Sequence, residues 1–294
     1  MPIAGIQIGA VFPHFSMGRD VEAIRTFATT IDEIGFDHLL AYDHVVGGSR
    51  EGRPELEGRY NSDHTFHELF VLFGYLAGVA PKLGLVSGVI ILPQRQTVLV
   101  AKQAAEIDIL TGGNFRLGVG IGWNPIEYQA LNENFRNRGK RLEEQISVLR
   151  QLFADEVVSI NGTWHTIDRA GIQPGPLNRS IPIWIGGSSE IAVRRAGRIA
   201  DGFFPNQKTL EEDAANLSLL WDEFDRAGRD RATFGIESRI SLNDNDPDEW
   251  KRRFAFWQEN GATHISLATI VQPSPDAPDH LALLEKAFRV LEGM

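Results

Sequence analysis

The sequence predicts an α/β fold: a (β/α)8 TIM barrel with short insertion segments. Three observations predict it. Strand-like apolar runs alternate with amphipathic helical stretches from end to end, giving about eight β-then-α units. No composition break divides the chain, and 294 residues is a length that single barrels of this kind commonly reach. A doubly wound sheet, the alternative, normally needs fewer units. One domain is therefore expected over 1–294, with insertions near 46–62 and 155–181.

Gly5–Phe12 reads as a strand, with β-branched residues closely spaced and a proline just after it. Asp20–Ile34 places Val21, Ile24, Phe27, Ala28 and Ile31 at helical spacing, and Gly35 stops the helix. Asp37–Tyr42 is a second strand, followed by a polar, glycine-rich loop through Ser62. Leu69–Val79 reads as a buried helix and Leu83–Leu92 as a buried strand rich in Val and Ile. Together they would be long enough to span a bilayer, but Pro81, Lys82 and Gly84 interrupt the run and argue against a membrane helix. Val98–Leu110 is helical and closed by Thr-Gly-Gly, and Asn114–Ile121 is a strand. Pro125–Leu131, with Asn124 as N-cap and Pro125 at the first helical position, and Gly139–Phe153 are helices. Val157–Ile160 and Trp164–Ile167 flank Asn161-Gly162, a strong hairpin signal. Beyond a proline-bearing loop come strand Ile183–Gly186, helix Ser189–Arg198, strand Gly202–Pro205 and helix Leu210–Ala227. Strand Phe234–Ile240, helix Asp248–Asn260, strand Thr263–Ile270 and helix Asp279–Leu291 complete the series.

Composition narrows the function classes. A formal net charge of −10 and a pI near 5.3 argue against nucleic acid and anionic membrane surfaces as partners. With no cysteine, thiolate metal sites and cysteine nucleophiles are excluded. The stretch from Met1 to Gln7 has neither a basic n-region nor an apolar h-region, so a cytoplasmic protein is expected.

In a barrel, chemistry gathers just after the C-terminal ends of the strands. Those positions here are His14, Asp43-His44, Leu92-Pro93, Trp123-Asn124, Gly186–Ser189, Asn206, Arg239 and Gln272. Ile185-Gly-Gly-Ser-Ser-Glu190 offers glycines that let a ligand approach the backbone and a helix start that offers N–H groups to an anion. It also reads as an ordinary turn with a serine N-cap. The neighbouring Arg179, Arg194, Arg195 and Arg198 form a locally basic stretch suited to a phosphorylated cofactor, or to the helix dipole alone. Leu117-Gly-Val-Gly-Ile-Gly-Trp123 lacks the dinucleotide spacing and reads as glycines against which a planar ring could lie. Asp43-His44 supplies a proton-transfer group and a carboxylate, or a loop pair bonded to backbone. Asp63-His64-Thr-Phe-His67-Glu68 has metal-ligand residue types, but no second cluster completes a shell. No metal is expected; the bland reading puts Asp63 in the first turn of a helix.

At this point the chain resembles, over most of its length, the bacterial luciferase-like monooxygenase superfamily. It looks most like the branch that uses the deazaflavin coenzyme F420. The resemblance is carried by Gly35-Phe-Asp-His-Leu-Leu-Ala-Tyr-Asp-His-Val45, Val89-Ile-Ile-Leu-Pro93, Ala101-Lys-Gln103 with Asp108, and Gly118-Val-Gly-Ile-Gly-Trp123. Arg138-Gly-Lys-Arg141 with Glu144, Gly162-Thr-Trp164, Pro182-Ile-Trp-Ile-Gly-Gly187, Arg195-Ala-Gly197 and Asp201-Gly202 extend it.

The resemblance implies a cofactor ring at the barrel mouth, with its phosphate at Gly186, Gly187, Ser188 and Ser189. It implies a bulge with a non-prolyl cis peptide at Val89–Ile90 behind the ring, Asp43 bonded to the deazaflavin, and His44 as the proton donor or acceptor. His14, Trp123 and Asn124 would line the substrate pocket. Trp123 stands where the sugar-phosphate dehydrogenases of this group carry a catalytic glutamate, which implies a more apolar pocket. The loop Val46–Ser62, with Arg50, Arg53 and Arg59, is the natural lid. The expected activity is hydride transfer between F420 and a small-molecule substrate, by a homodimer. An FMN-dependent monooxygenase on the same barrel is the alternative. A cofactor-storage protein and a metal-dependent barrel hydrolase are the readings from other classes.

Overall fold

The computed structural model describes residues 2–56, 60–206, 209–269 and 279–294. Arg59 of the expected lid and the strand-end position Gln272 lie outside those residues.

The chain runs β1 (Gln7–Val11), α1 (His14–Met17), α2 (Val21–Ile34), β2 (His38–Ala41), α3 (Leu69–Val79), β3 (Gly84–Ser87), β4 (Ile90–Ile91) and α4 (Thr97–Leu110). It continues β5 (Phe115–Gly120), α5 (Pro125–Ala130), α6 (Arg138–Ala154), β6 (Val158–Asn161), β7 (Thr166–Ala170), β8 (Ile183–Gly187) and α7 (Glu190–Ile199). The last elements are β9 (Gly202–Pro205), α8 (Leu210–Arg226), β10 (Gly235–Ser241), α9 (Pro247–Glu259), β11 (His264–Ala268) and α10 (His280–Glu292).

Strands pair in parallel in the order β3-β2-β1-β11-β10-β9-β8-β5-β4, and a further β3–β5 pairing closes the ring. The expected (β/α)8 barrel is thus the observed fold. Local signals set most boundaries. Asp20 caps α2 by accepting the Ala23 N–H at 3.0 Å, and Gly35 ends the helix at φ 108°. Asn124 caps α5, Ser189 caps α7, and Thr209 with Glu212 forms a capping box on α8.

Two expectations are corrected. Leu83–Leu92 is not one strand but β3 and β4, separated by the Gly88–Val89 step, whose peptide bond is cis. β3 pairs with both β2 and β5, and after the break β4 pairs with β5 again, further along that strand. The hairpin β6–β7 exists, but its loop is Gly162–His165 rather than Asn161-Gly162, because Asn161 pairs with Thr166. Glu144 explains the wider loop: its carboxylate accepts the Thr163 and Trp164 N–H groups at 2.9 and 2.8 Å and contacts His165 Nδ1 at 2.7 Å.

The larger core packs helices against the barrel's outer wall, and a smaller one of Val11, Leu40, Val86, Trp184, Phe204 and Ala268 fills its interior. Trp184 occupies that interior because Gly202 and Gly235 leave room: a Cβ at either would lie 2.2 Å from its ring. Nearer the N-terminal end of the barrel the filling is ionic. Glu237 accepts from Ser266 at 2.6 Å, contacts His38 Nε2 at 2.8 Å and pairs with Arg116 at 2.8 Å. Among the described residues, no helix is long and apolar enough to cross a membrane.

Candidate active site

A cleft of about 310 Å³ opens at the C-terminal end of the barrel. Leu40, Gly88, Val89 and Phe204 line it together with the segments Gly120–Trp123 and Gly186–Ser189. Val89 projects between two glycines: a Cβ on Gly120 would lie 2.6 Å from its Cγ2, and one on Gly186 2.8 Å from its Cγ1. Of the glycines in Leu117–Trp123, Gly120 thus makes room for Val89 at the mouth, while Gly118 lets the Ser87 carbonyl approach and Gly122 lies against Ile91. The cis peptide falls at Gly88–Val89, one residue before the expected Val89–Ile90. Val89 lines the cleft, whereas Ile90 is fully buried and Ile91 lines it instead.

At the edge of the cleft, Gly186, Gly187, Ser188 and Ser189 lead from β8 into α7. Ser188 and Ser189 are exposed, and Ser189 accepts the Ala192 N–H at 3.3 Å as N-cap. The start of this helix offers N–H groups and the positive end of its dipole to the cleft. The expected basic stretch beside it does not reach the cleft. Arg194 pairs with Glu190 and Glu223, Arg195 and Arg198 with Glu143, and Arg179 with Glu156. Acids on α6 and α8, and just beyond α6, neutralise these arginines. The cation lining the cleft is Arg239, at the mouth end of β10.

His44 lies beside the cleft, its ring centroid 6.2 Å from that of the half-exposed Trp123. It stacks on Tyr60 at 4.1 Å and meets Phe66 edge-on at 5.0 Å. Its Nδ1 lies 3.0 Å from Glu127 Oε2. Glu127 is 1% exposed, and its Oε1 accepts the Val45 N–H at 2.9 Å. A single buried carboxylate therefore fixes both the ring and the backbone just after it. Burial, reinforced by the Glu127 and Asp43 carboxylates, pushes the Tyr60 phenol up to about 12, so it remains protonated.

Sequence reading missed Glu127, Tyr60 and Phe66. Glu127 lies in the first turn of α5, and nothing local in the sequence shows that α5 folds over residue 44. Asn124, expected in the substrate pocket, is instead fully buried: its Oδ1 accepts the Ile126 N–H at 3.0 Å and so sets where Glu127 begins its turn.

Asp43 and His14 also stand apart from the cleft lining. Asp43 is 3% exposed; its carboxylate accepts the Ile91 N–H at 3.1 Å and pairs with Arg95 at 2.8 Å. It thus holds the segment after the cis bulge in place. His14 is 2% exposed and stacks on Phe66 at 4.4 Å, with Nδ1 3.4 Å from the His67 N–H. Burial, then the neighbouring His67, brings its imidazole down to about 3, so it is neutral. The Asp63–Glu68 segment is dispersed rather than helical: Asp63 pairs with Arg50, His64 Nδ1 accepts the Asn61 N–H, and Glu68 caps α3. Among the described residues, no group of three or more His, Asp or Glu side chains is placed to hold a metal.

The expected lid is tied down at its base. The Ser62 N–H donates to Gly48 O at 3.0 Å, and a Cβ on Gly47 would lie 2.3 Å from the Asn61 backbone, so the two arms touch chain to chain.

A model of the luciferase-like monooxygenase family matches residues 7–284. The chain belongs to that family. Within it, an uncharacterized protein of Mycobacterium tuberculosis is 35% identical over 196 residues, 65% of this chain and 64% of that one. The FMNH2-dependent dimethylsulfone monooxygenase of Pseudomonas fluorescens is 32% identical over 210 residues, 70% of this chain and 53% of that enzyme. The match thus spans less than two-thirds of these relatives' own length. Among solved structures, an F420-dependent secondary alcohol dehydrogenase in complex with an F420–acetone adduct superposes with a TM-score of 0.80 at 16% identity, over 99% of both chains. At that identity the likeness is one of fold. Of these proteins, the sulfone monooxygenase is named for FMNH2 and the alcohol dehydrogenase of the same fold for F420.

Proposed function

We propose that this protein transfers a hydride between coenzyme F420 and a small organic substrate, with His44 moving the accompanying proton. The observation that carries the reading is His44, held at Nδ1 by the buried Glu127 and placed beside a glycine-lined cleft. The residues present fit the group. Because Gly120 and Gly186 carry no Cβ, Val89 packs between them and lines the cleft, where a flat ring would lie against it, and the start of α7 at the edge suits a phosphate. When bound there, the deazaflavin would supply hydride chemistry at its C5 carbon.

The chain's own residues do the rest. Gly186–Ser189 bind the phosphate, and Val89 and Ile91 back the ring. Asp43 acts on it indirectly, by fixing the Ile91 N–H and Arg95. Glu127 keeps Nδ1 of His44 protonated, so Nε2 is the atom that gives or takes the proton. Tyr60, Phe66 and Trp123 surround that imidazole with aromatic surface, which excludes water and favours an apolar substrate. A homodimer and a cytoplasmic location remain part of this proposal.

The second reading, an FMN-dependent monooxygenase, is favoured by the 32% identity to the sulfone monooxygenase. Absorption spectra of the protein titrated with F420 and with FMN separate the two: tight binding of FMN and none of F420 would overturn the first. In the loaded enzyme, His44→Ala should lower turnover by about 10²-fold or more with little change in cofactor affinity. Near-normal turnover would remove His44 from the mechanism.

A further inference from the structure

Arg239 has no place in the proton-transfer scheme, yet among the described residues it is the only ionisable group that lines the cleft. It also lines a second, polar cavity of about 510 Å³, whose wall includes Ser238, Ser241 and Asn243. The guanidinium therefore stands in the partition between the two. It donates to the Tyr42 hydroxyl at 3.0 Å and to Asn206 Oδ1, and lies 5.5 Å from the centroid of the Tyr42 ring. Neither partner is a carboxylate. Asp213 and Asp244 line the polar cavity as well; neither is within ion-pair distance of Arg239, although Asp213 and Glu237 add to the field that keeps the guanidinium charged.

Other arginines near the barrel rim and interior have carboxylate partners: Arg95 with Asp43 and Glu68, Arg116 with Glu237, and Arg195 with Glu143. A cation held at fixed angle by a hydroxyl and an amide, with no carboxylate in contact and facing a cavity, leaves part of its planar donor fork for an anionic ligand. We propose that Arg239 forms an oxyanion subsite joining the two cavities, one that takes a carboxylate or phosphate. This deepens the proposed function and rests on the same cleft. The anion has two possible sources there, the phosphate end of the cofactor or a carboxylate on the substrate.

Isothermal titration of the unliganded protein with benzoate and, separately, with its neutral counterpart benzamide tests the subsite. Benzoate should bind more tightly than benzamide. Arg239→Met should weaken benzoate about tenfold or more and leave benzamide unchanged, since loss of a charge-assisted pair costs at least that much. Arg239→Lys should retain part of the preference, and it keeps the test open should the methionine variant fail to fold. Equal binding of the two probes by the natural protein, or no loss in Arg239→Met, overturns the subsite. Repeating the titration with saturating F420 or FMN assigns the source. Loss of benzoate binding gives the anion to the cofactor, and retained binding gives it to the substrate. A protein that binds neither cofactor but still selects benzoate through Arg239 would sink the redox reading and leave the subsite standing.

Discussion

At the scale of single residues, the proposed chemistry turns on the pairing of Glu127 with His44. A carboxylate at Nδ1 selects the tautomer whose Nε2 is free, and it holds the ring at a fixed angle. Glu127→Gln separates these effects from mere packing. The amide can still accept the Val45 N–H, but its NH2 group facing Nδ1 would impose the other tautomer. Turnover should fall by about 10²-fold while F420 or FMN affinity, read by absorption titration, stays within a factor of about 2. A matched loss of binding would make Glu127 structural instead. The sequence showed His44 through the motif around Asp43, but not Glu127, because an interaction across 83 positions leaves no local pattern. It showed Asn124 as an N-cap, and that local signal was the sound one. The same residue does not line the cleft, since it is fully buried beneath the start of its own helix.

At the scale of elements, the strand between α3 and α4 shows what periodicity cannot carry. A continuous Val/Ile run looks the same with or without a break at Gly88–Val89, and only the pairing separates β3, held between β2 and β5, from β4, which resumes on β5. The ionic filling of the barrel was equally hidden. His38, Arg116, Glu237 and Ser266 lie on four different strands, and each alone reads as an ordinary strand residue. Burial opposes charge on Glu237, but Arg116 and His38 beside it hold its carboxyl well below the usual carboxylate range. Glu237→Gln would leave the Arg116 guanidinium buried without its counter-charge. The expected cost is about 3–5 kcal/mol in urea unfolding, the range for breaking one side of a buried pair. Adding Arg116→Met should restore part of the loss, because removing both charges also removes their desolvation penalty. A single variant as stable as the natural protein would show that the network contributes little to the fold.

At the scale of the whole molecule, the charge balance and the buried histidines act together on pH dependence. The acidic excess does not leave a basic patch at α7, since Glu143, Glu190 and Glu223 neutralise its arginines. Several histidines, in contrast, are folded into places that exclude their charged form. Burial, with His67 adding to it, brings His14 to about 3; burial, with Arg116 adding to it, brings His264 to about 2. His38 and His67 are shifted the same way, chiefly by burial. In the unfolded chain these rings titrate near 6.5. Above that value both states are neutral and the shift contributes nothing. As pH falls through 6.5 the unfolded chain binds protons that the native state refuses, so the unfolded state gains and stability drops. For His14 and His264 the loss should reach about 2 kcal/mol each by pH 5, and it continues until the native rings titrate near 3 and 2. Urea midpoints measured at pH 7 and pH 5 should therefore differ clearly, with the lower at pH 5. His14→Gln, whose amide oxygen can still accept the His67 N–H but does not titrate, should shrink that difference by about 2 kcal/mol. Equal midpoints at the two pH values would mean that water reaches these rings, against the burial of His14.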